Sequence, residues 1–167
     1  MTVLVTGCAG FIGFHLVNKL THGKYQVVGL DNLNNYYDLN LKKNRIEKLK
    51  ENKKFIFYKA DLKNYKKINS IIKNHRVKYI IHLAAQAGVR YSIKNPKLYF
   101  DNNLMGFFNI LELSKVHKIK HLIFASTSSV YGNCKKFPTK EQHNTDFPLS
   151  FYAATKKSNE VMAHSYS

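Results

Sequence analysis

Short apolar runs alternate along the chain with longer segments in which apolar residues recur every three or four positions. Thr2–Thr6 (TVLVT) is a β-branched run and reads as a buried strand. From Gly10 to Leu20 the apolar residues Phe11, Phe14, Leu16, Val17 and Leu20 keep helical spacing. Tyr25–Leu30 (YQVVGL) is a second strand, Leu39–Glu51 a charged helix with Leu41, Ile46 and Leu49 on one side, and Phe55–Tyr58 a third strand. Lys63–His75 follows as a helix with Asp61 as its expected N-cap. Tyr79–Leu83 is a fourth strand, and Asn95-Pro96 opens a helix running to about His117, with Pro at its first position. His121–Ala125 (HLIFA) is a fifth strand, and a last helix runs from Ser150.

The strands are apolar throughout rather than alternating, as parallel strands covered on both faces are. Alternation of strand and helix over 1–167 predicts an α/β fold: one domain built on a doubly wound parallel sheet. Right-handed crossovers collect the C-terminal ends of such strands along one edge, so the residues after each strand are where a site is expected.

The residues after the first strand are TGCAGFIG, with glycines at Gly7, Gly10 and Gly13. Glycine costs conformational entropy in ordered structure, so three at this spacing need a reason. Between a strand and a helix, such a turn brings main-chain N–H groups against a pyrophosphate at a helix N-terminus. Asp31, in GLDN, ends the second strand. A carboxylate there accepts hydrogen bonds from ribose hydroxyls and repels a 2′-phosphate, which favours NAD over NADP.

Composition changes this picture little. The chain has 167 residues, 44% of them hydrophobic, enough for a globular core. The net charge of +17 invites a nucleic-acid reading, but the lysines are spread along the chain instead of forming a block. No nucleic-acid partner is therefore expected. No apolar run approaches the length of a membrane span, and the N-terminus lacks a basic leader, so neither membrane insertion nor secretion is expected. Cys8 and Cys134 are too few for a disulfide framework or a metal site and fit free thiols in a reducing cytoplasm.

The spacing Gly-x-x-Gly-x-x-Gly resembles the short-chain dehydrogenase/reductase superfamily, in particular its extended branch of nucleotide-sugar enzymes. The later strands carry the rest of the resemblance: Ala60-Asp61-Leu62, then HLAAQAGVRYS, then Asn103, then Ser126-Thr127-Ser128-Ser129-Val130-Tyr131-Gly132, and finally Tyr152-Ala153-Ala154-Thr155-Lys156. The resemblance implies a Rossmann-like fold binding NAD through Gly7, Gly10, Phe11, Ile12, Gly13, Asp31, Asn32, Asn35, Asp61, Leu62, Leu83, Ala84, Ala85, Gln86, Asn103, Ser126, Tyr152 and Lys156. It implies Thr127, Tyr152 and Lys156 as the catalytic residues. On a helix, Tyr152 and Lys156 are one turn apart. A phenol is a poor base, with a pKa of about 10. A neighbouring ammonium favours the phenolate and makes it a better one. A Tyr-x-x-x-Lys on its own is equally a surface pair; its coincidence with the glycine turn and Asp31 gives it weight.

Dehydratases of this branch carry an Asp-Glu pair after the catalytic Thr or Ser, where this chain has Ser128 and Ser129, so the resemblance implies an epimerase. DNLNNYYD at Asp31–Asp38 and AAQAGVRYS at Ala84–Ser92 are similar to the UDP-glucuronate 4-epimerase group of bacterial capsule and lipopolysaccharide synthesis. That implies a UDP-sugar substrate, a 4-keto intermediate and a homodimer. Arg90 is a candidate partner for diphosphate or carboxylate, or a surface cation, and Ser128 a candidate substrate contact. UDP-glucose/galactose 4-epimerases share the machinery, and an NAD-binding remnant without turnover is a further alternative. The chain ends inside the helix carrying Tyr152 and Lys156, so a C-terminal substrate lobe is expected to be absent.

Overall fold

A computed structural model describes residues 1–167. The chain divides into two compact units, Met1–Ala84 with Glu112–Ala125, and Ala85–Leu111 with Ser126–Ser167.

The first unit holds a parallel sheet of β1 (Thr2–Thr6), β2 (Gln26–Asp31), β3 (Phe55–Lys59), β4 (Tyr79–His82) and β5 (His121–Phe124), in the order β3-β2-β1-β4-β5. Thr6 is in register with Leu30 on one side and His82 on the other, so the loops after these strands leave the sheet at one edge. Strand order reverses between β1 and β4, the switch point at which open α/β sheets form their crevice. The core gathers Val3, Val5, Cys8, Val17, Val27, Ile46, Leu49 and Phe55. Each such aliphatic side chain contributes roughly 1.5–3 kcal/mol on burial.

The flanking helices of this unit are α1 (Phe11–His22), α2 (Leu39–Lys50) and α3 (Tyr65–Asn74). Three details differ from the sequence reading. The buried stripe of α2 is Lys42, Ile46 and Leu49, and Leu41 is exposed. The cap of α3 is Asn64, whose side chain accepts from the Lys67 N–H, while Asp61 accepts from the Lys63 N–H and belongs to the loop. Burial on both faces holds for β1 and β2 but not for β5, where His121 and Ile123 are exposed.

The second unit contains α4 (Val89–Lys94), α5 (Pro96–Tyr99), a π turn (Phe100–Met105), the start of α6 (Gly106–Val116), a 3₁₀ turn (Ser128–Tyr131) and α7 (Phe151–Ser165). The single helix expected over 95–117 is interrupted by the π turn, and α4 went unforeseen. Within this unit α7 packs against α4, α5, the π turn and the 3₁₀ turn.

Candidate functional site

In the first unit the turn after β1 is tied to β2 by two bonds, from Gly7 N–H to the Leu30 carbonyl at 2.7 Å and from Cys8 N–H to the same oxygen at 3.2 Å. Gly7 has φ +71°, and a Cβ there would lie 2.8 Å from the Ala84 nitrogen. A Cβ on Gly13 would lie 2.2 Å from the Gly7 carbonyl, so α1 rests directly on the turn. Helix α1 starts without a side-chain cap on Gly10 and without an acidic residue in its first turn. Phe11 and Ile12 are exposed. Uncapped N–H groups and the positive end of a helix dipole suit a diphosphate, so this turn fits the group that its glycines predict.

Thr6 brings the β4 loop to that turn. Its Oγ1 accepts from the Leu83 and Ala84 N–H groups, each at 3.1 Å, and lies 2.9 Å from His82 Nδ1.

Asp31 is buried at the end of β2. Its Oδ2 accepts from the Ala9 N–H at 3.2 Å and its Oδ1 from the Leu33 N–H at 2.8 Å. Asn32 donates through Nδ2 to Asp61 at 3.3 Å, linking the β2 and β3 loops. Leu62 is half-buried beside Asp61, and Asn35 is exposed. Three residues here escaped the sequence reading. Lys42 Nζ donates to the Asn34 carbonyl at 3.0 Å and to its Oδ1 at 2.7 Å, and lies 4.0 Å from Asp31 Oδ1. Arg45 donates to the Ala9 carbonyl at 3.2 Å, as does the Tyr37 hydroxyl at 3.4 Å. The legible signal for Lys42 was its position four and seven residues before Ile46 and Leu49, on an apolar stripe.

In the second unit Ser150 caps α7 by accepting from the Ala153 N–H at 3.1 Å, which starts the helix just before Tyr152. Lys156 lies one turn on and is buried, which pushes its pKa down from 10.5 to about 8. The Tyr152 ring meets that of Tyr99 edge-on at 6.1 Å, and the buried Tyr99 hydroxyl reaches the Ala87 and Gly88 carbonyls at 2.6 Å each. Asn103, in the π turn, holds both ends of one peptide: its Oδ1 accepts from the Gln86 N–H at 2.7 Å and its Nδ2 donates to the Gln86 carbonyl at 3.0 Å. The same Nδ2 donates to Thr155 Oγ1 at 3.1 Å, so the residue beside Lys156 is held as well. Thr155 and Glu160 were missed in the sequence, although 3.6-residue periodicity sets them beside Tyr152 and Lys156.

Ser126 donates to the Glu160 carboxylate of α7. Thr127 Oγ1 accepts from the Ser129 N–H at 3.2 Å and caps the 3₁₀ turn, leaving its hydroxyl hydrogen to donate outward. Ser128, Ala85 and Arg90 are exposed, Arg90 on α4. The Gln86 Nε2 is buried without a hydrogen-bond partner. An orphaned buried donor costs about 1–3 kcal/mol, and an acceptor on a ligand would remove that cost. No group of three His, Cys, Asp or Glu side chains is placed to hold a metal ion, and no helix is long and apolar enough to cross a membrane.

A glycine turn at the switch point of a parallel sheet is the Rossmann-like arrangement. The chain belongs to the family described as GDP-mannose 4,6 dehydratase, whose model matches residues 4–167. It is 50% identical to Protein CapI of Staphylococcus aureus over 168 residues, which is 100% of this chain and 50% of that protein. It is 48% identical to a probable UDP-glucuronate 4-epimerase of Rhizobium meliloti, covering 99% of this chain and 49% of the relative. The crystal structure of UDP-glucuronic acid 4-epimerase from Bacillus cereus, in complex with UDP-glucuronic acid and NAD, superposes with a TM-score of 0.90 at 38% identity, over 99% of this chain and 52% of that one. The chain thus spans about half the length of the relatives it matches.

Proposed function

We propose that this chain is the NAD-binding and catalytic part of a UDP-sugar 4-epimerase that interconverts UDP-glucuronate and UDP-galacturonate. The observation that carries the proposal is the buried Lys156 one turn after Tyr152, on a helix whose neighbouring turn offers Ser128 and Ser129 in place of acids. The Gly7–Gly13 turn and the start of α1 would hold the diphosphate of NAD. Asp31 would take the adenosine ribose, with Asn32, Asp61, Leu62, Leu83 and Ala84 around it. Bound there, NAD supplies a hydride acceptor and donor at its nicotinamide ring.

Tyr152 Oη takes the proton of the sugar C4 hydroxyl and returns it after the 4-keto sugar has turned over. Lys156 remains an ammonium below pH 8 and stabilises the phenolate, an effect lost as pH rises through about 8. Thr127 donates its hydroxyl hydrogen to the sugar oxygen. With Ser128 and Ser129 in the acid positions, no group there protonates a departing hydroxyl, so elimination lacks its proton donor. Arg90 and Ser128 are the candidate contacts for diphosphate or sugar carboxylate.

The protein acts in the cytoplasm, supplying sugars for capsule or lipopolysaccharide, as a homodimer. Ile93, Phe100, Met105, Phe108 and Val161 are exposed apolar residues of the second unit that suit such an interface. Incubation with UDP-glucuronate and NAD, followed by NMR of the sugar anomeric signals, tests the proposal. Appearance of UDP-galacturonate supports it. Conversion of UDP-glucose alone favours the galactose-type alternative, and NAD binding without any conversion favours the remnant.

A further inference from the structure

Cations that lie far apart in the sequence come together at the edge of the sheet opposite the glycine turn. Strands β2, β3, β4 and β5 are entered through segments 23–25, 51–54, 75–78 and 117–120. These segments carry Lys24, Lys53, Lys54, Arg76, Lys78, Lys118 and Lys120, seven cations against one carboxylate, Glu51. All seven are exposed, and none forms a salt bridge. Lys54 Nζ donates to the Gly23 carbonyl at 2.7 Å and ties two of the segments together. Main-chain bonds set the rest side by side. The Val27 N–H donates to the Lys54 carbonyl at 2.8 Å, the Lys78 N–H to the Thr2 carbonyl at 3.2 Å, and the Lys120 N–H to the Lys78 carbonyl at 2.9 Å. Neighbouring strands lie about 4.8 Å apart, so the rim from β3 to β5 is roughly 19 Å long.

Stabilisation of helix ends does not account for these cations. Helices α1, α2, α3 and α6 end at this rim, each with about half a negative charge. Their last turns already carry Lys19 and His22, Lys48 and Lys50, Lys73, and Lys115. The seven come in addition. Two of them stand where glycine is the usual occupant: Arg76 and Lys118 each have φ +48°. Beyond them the Val77 N–H donates to the Ile72 carbonyl at 3.1 Å and the Ile119 N–H to the Ser114 carbonyl at 2.9 Å, closing α3 and α6. A side chain in the left-handed region is strained, so both places hold a cation against the backbone preference.

A dense row of cations fits a polyanion. Tyr25 and Tyr79 beside the rim are half-buried against the core, so no exposed tyrosine ring is offered for a base to stack on. That favours a duplex, whose bases are already stacked, over a single strand. Duplex DNA carries one phosphate per 3.4 Å of each strand, so about five face a rim of this length. We infer that this rim is a docking surface for the phosphodiester backbone of a nucleic-acid duplex, held without regard to base sequence. The expectation of no such partner came from lysines dispersed along the sequence, and folding concentrates them. The rim lies at the opposite ends of the strands from Gly7 and Asp31, so it is independent of the dinucleotide reading.

The test is fluorescence anisotropy of a labelled DNA duplex titrated with the full chain at several salt concentrations. With about five phosphates engaged, the logarithm of the association constant falls against the logarithm of salt with a slope of about −4.5. Duplexes of unrelated sequence bind alike, a single strand of equal length binds more weakly, and added NAD changes neither. Arg76→Gly/Lys118→Gly suits the backbone at both positions, and urea unfolding shows the fold retained. It makes the slope shallower by about 2 and weakens binding about tenfold or more near 0.1 M salt. Lys43→Gln/Lys66→Gln removes the same charge near the other ends of α2 and α3 and leaves the affinity within about twofold. Absence of binding at low salt overturns the assignment, as do equal losses in the two double variants. So does a duplex displaced more readily by polyglutamate than by unlabelled duplex of the same charge, which would make the partner an acidic protein.

Discussion

Replacing Lys156 by Met measures what burial of this ammonium costs the fold. Lys156 is 4% exposed, and burial depresses its pKa from 10.5 to about 8. A depression of that size corresponds to roughly 3 kcal/mol against the charged form. Between pH 8 and 10.5 the unfolded chain holds a proton on this lysine that the folded chain has released. Stability therefore rises with pH across that window, and the penalty is fully present below it. Methionine has similar length and no charge, so Lys156→Met removes the penalty together with the phenolate stabilisation proposed for this residue. The expected result is a more stable protein at pH 7, by up to about 3 kcal/mol, whose advantage shrinks toward zero as pH approaches 10.5. Urea unfolding of both proteins at pH 7, 8, 9 and 10 measures it, and all other titrating groups cancel in the difference. A Met variant that is less stable at pH 7, or a gap that stays constant with pH, refutes the reasoning.

Tyr152→Phe removes one hydroxyl and no packing, so NAD affinity stays within a few-fold while turnover of the UDP-sugar falls by about 10²–10⁴; retained turnover in the conversion assay removes Tyr152 from its role. Asn103→Ala deletes the bonds to the Gln86 peptide and to Thr155, leaving buried partners unpaired. A loss of about 1–3 kcal/mol in denaturant unfolding is expected, against no change if the clamp is ornamental. Under native conditions a thiol reagent should label Cys134 and spare Cys8, which is fully buried and whose pKa burial raises. Mass spectrometry finding equal labelling of the two would contradict that core position.

Much of the first unit was legible because its signals are local. Five apolar runs of four to six residues, each followed by a helical period, required little more than reading the pattern, and all five strands formed within a residue or two. Gly7 and Gly13 were legible for the same reason: a positive φ and a contact closer than any Cβ allows leave few alternatives to glycine. The errors share a cause. Lys42 reads as a surface lysine until the Asp31 loop folds over it, and Asp61 reads as a cap until Asn32 reaches it. The π turn at Phe100–Met105 is selected by bonds between Asn103 and residues 17 and 52 positions away, which no helical period records. Local chemistry announced the glycine turn; the groups packed around it come from tertiary contacts.

Residue-resolved NMR titration of the isotope-labelled chain with NAD is the most direct test that the turn after β1 holds a dinucleotide. Saturable shifts are expected at the amides of Phe11, Ile12 and Gly13 and at those of Leu33 and Ala84. A folded chain whose spectrum is unmoved there by millimolar NAD, or moves only at residues remote from the glycine turn and Asp31, contradicts it.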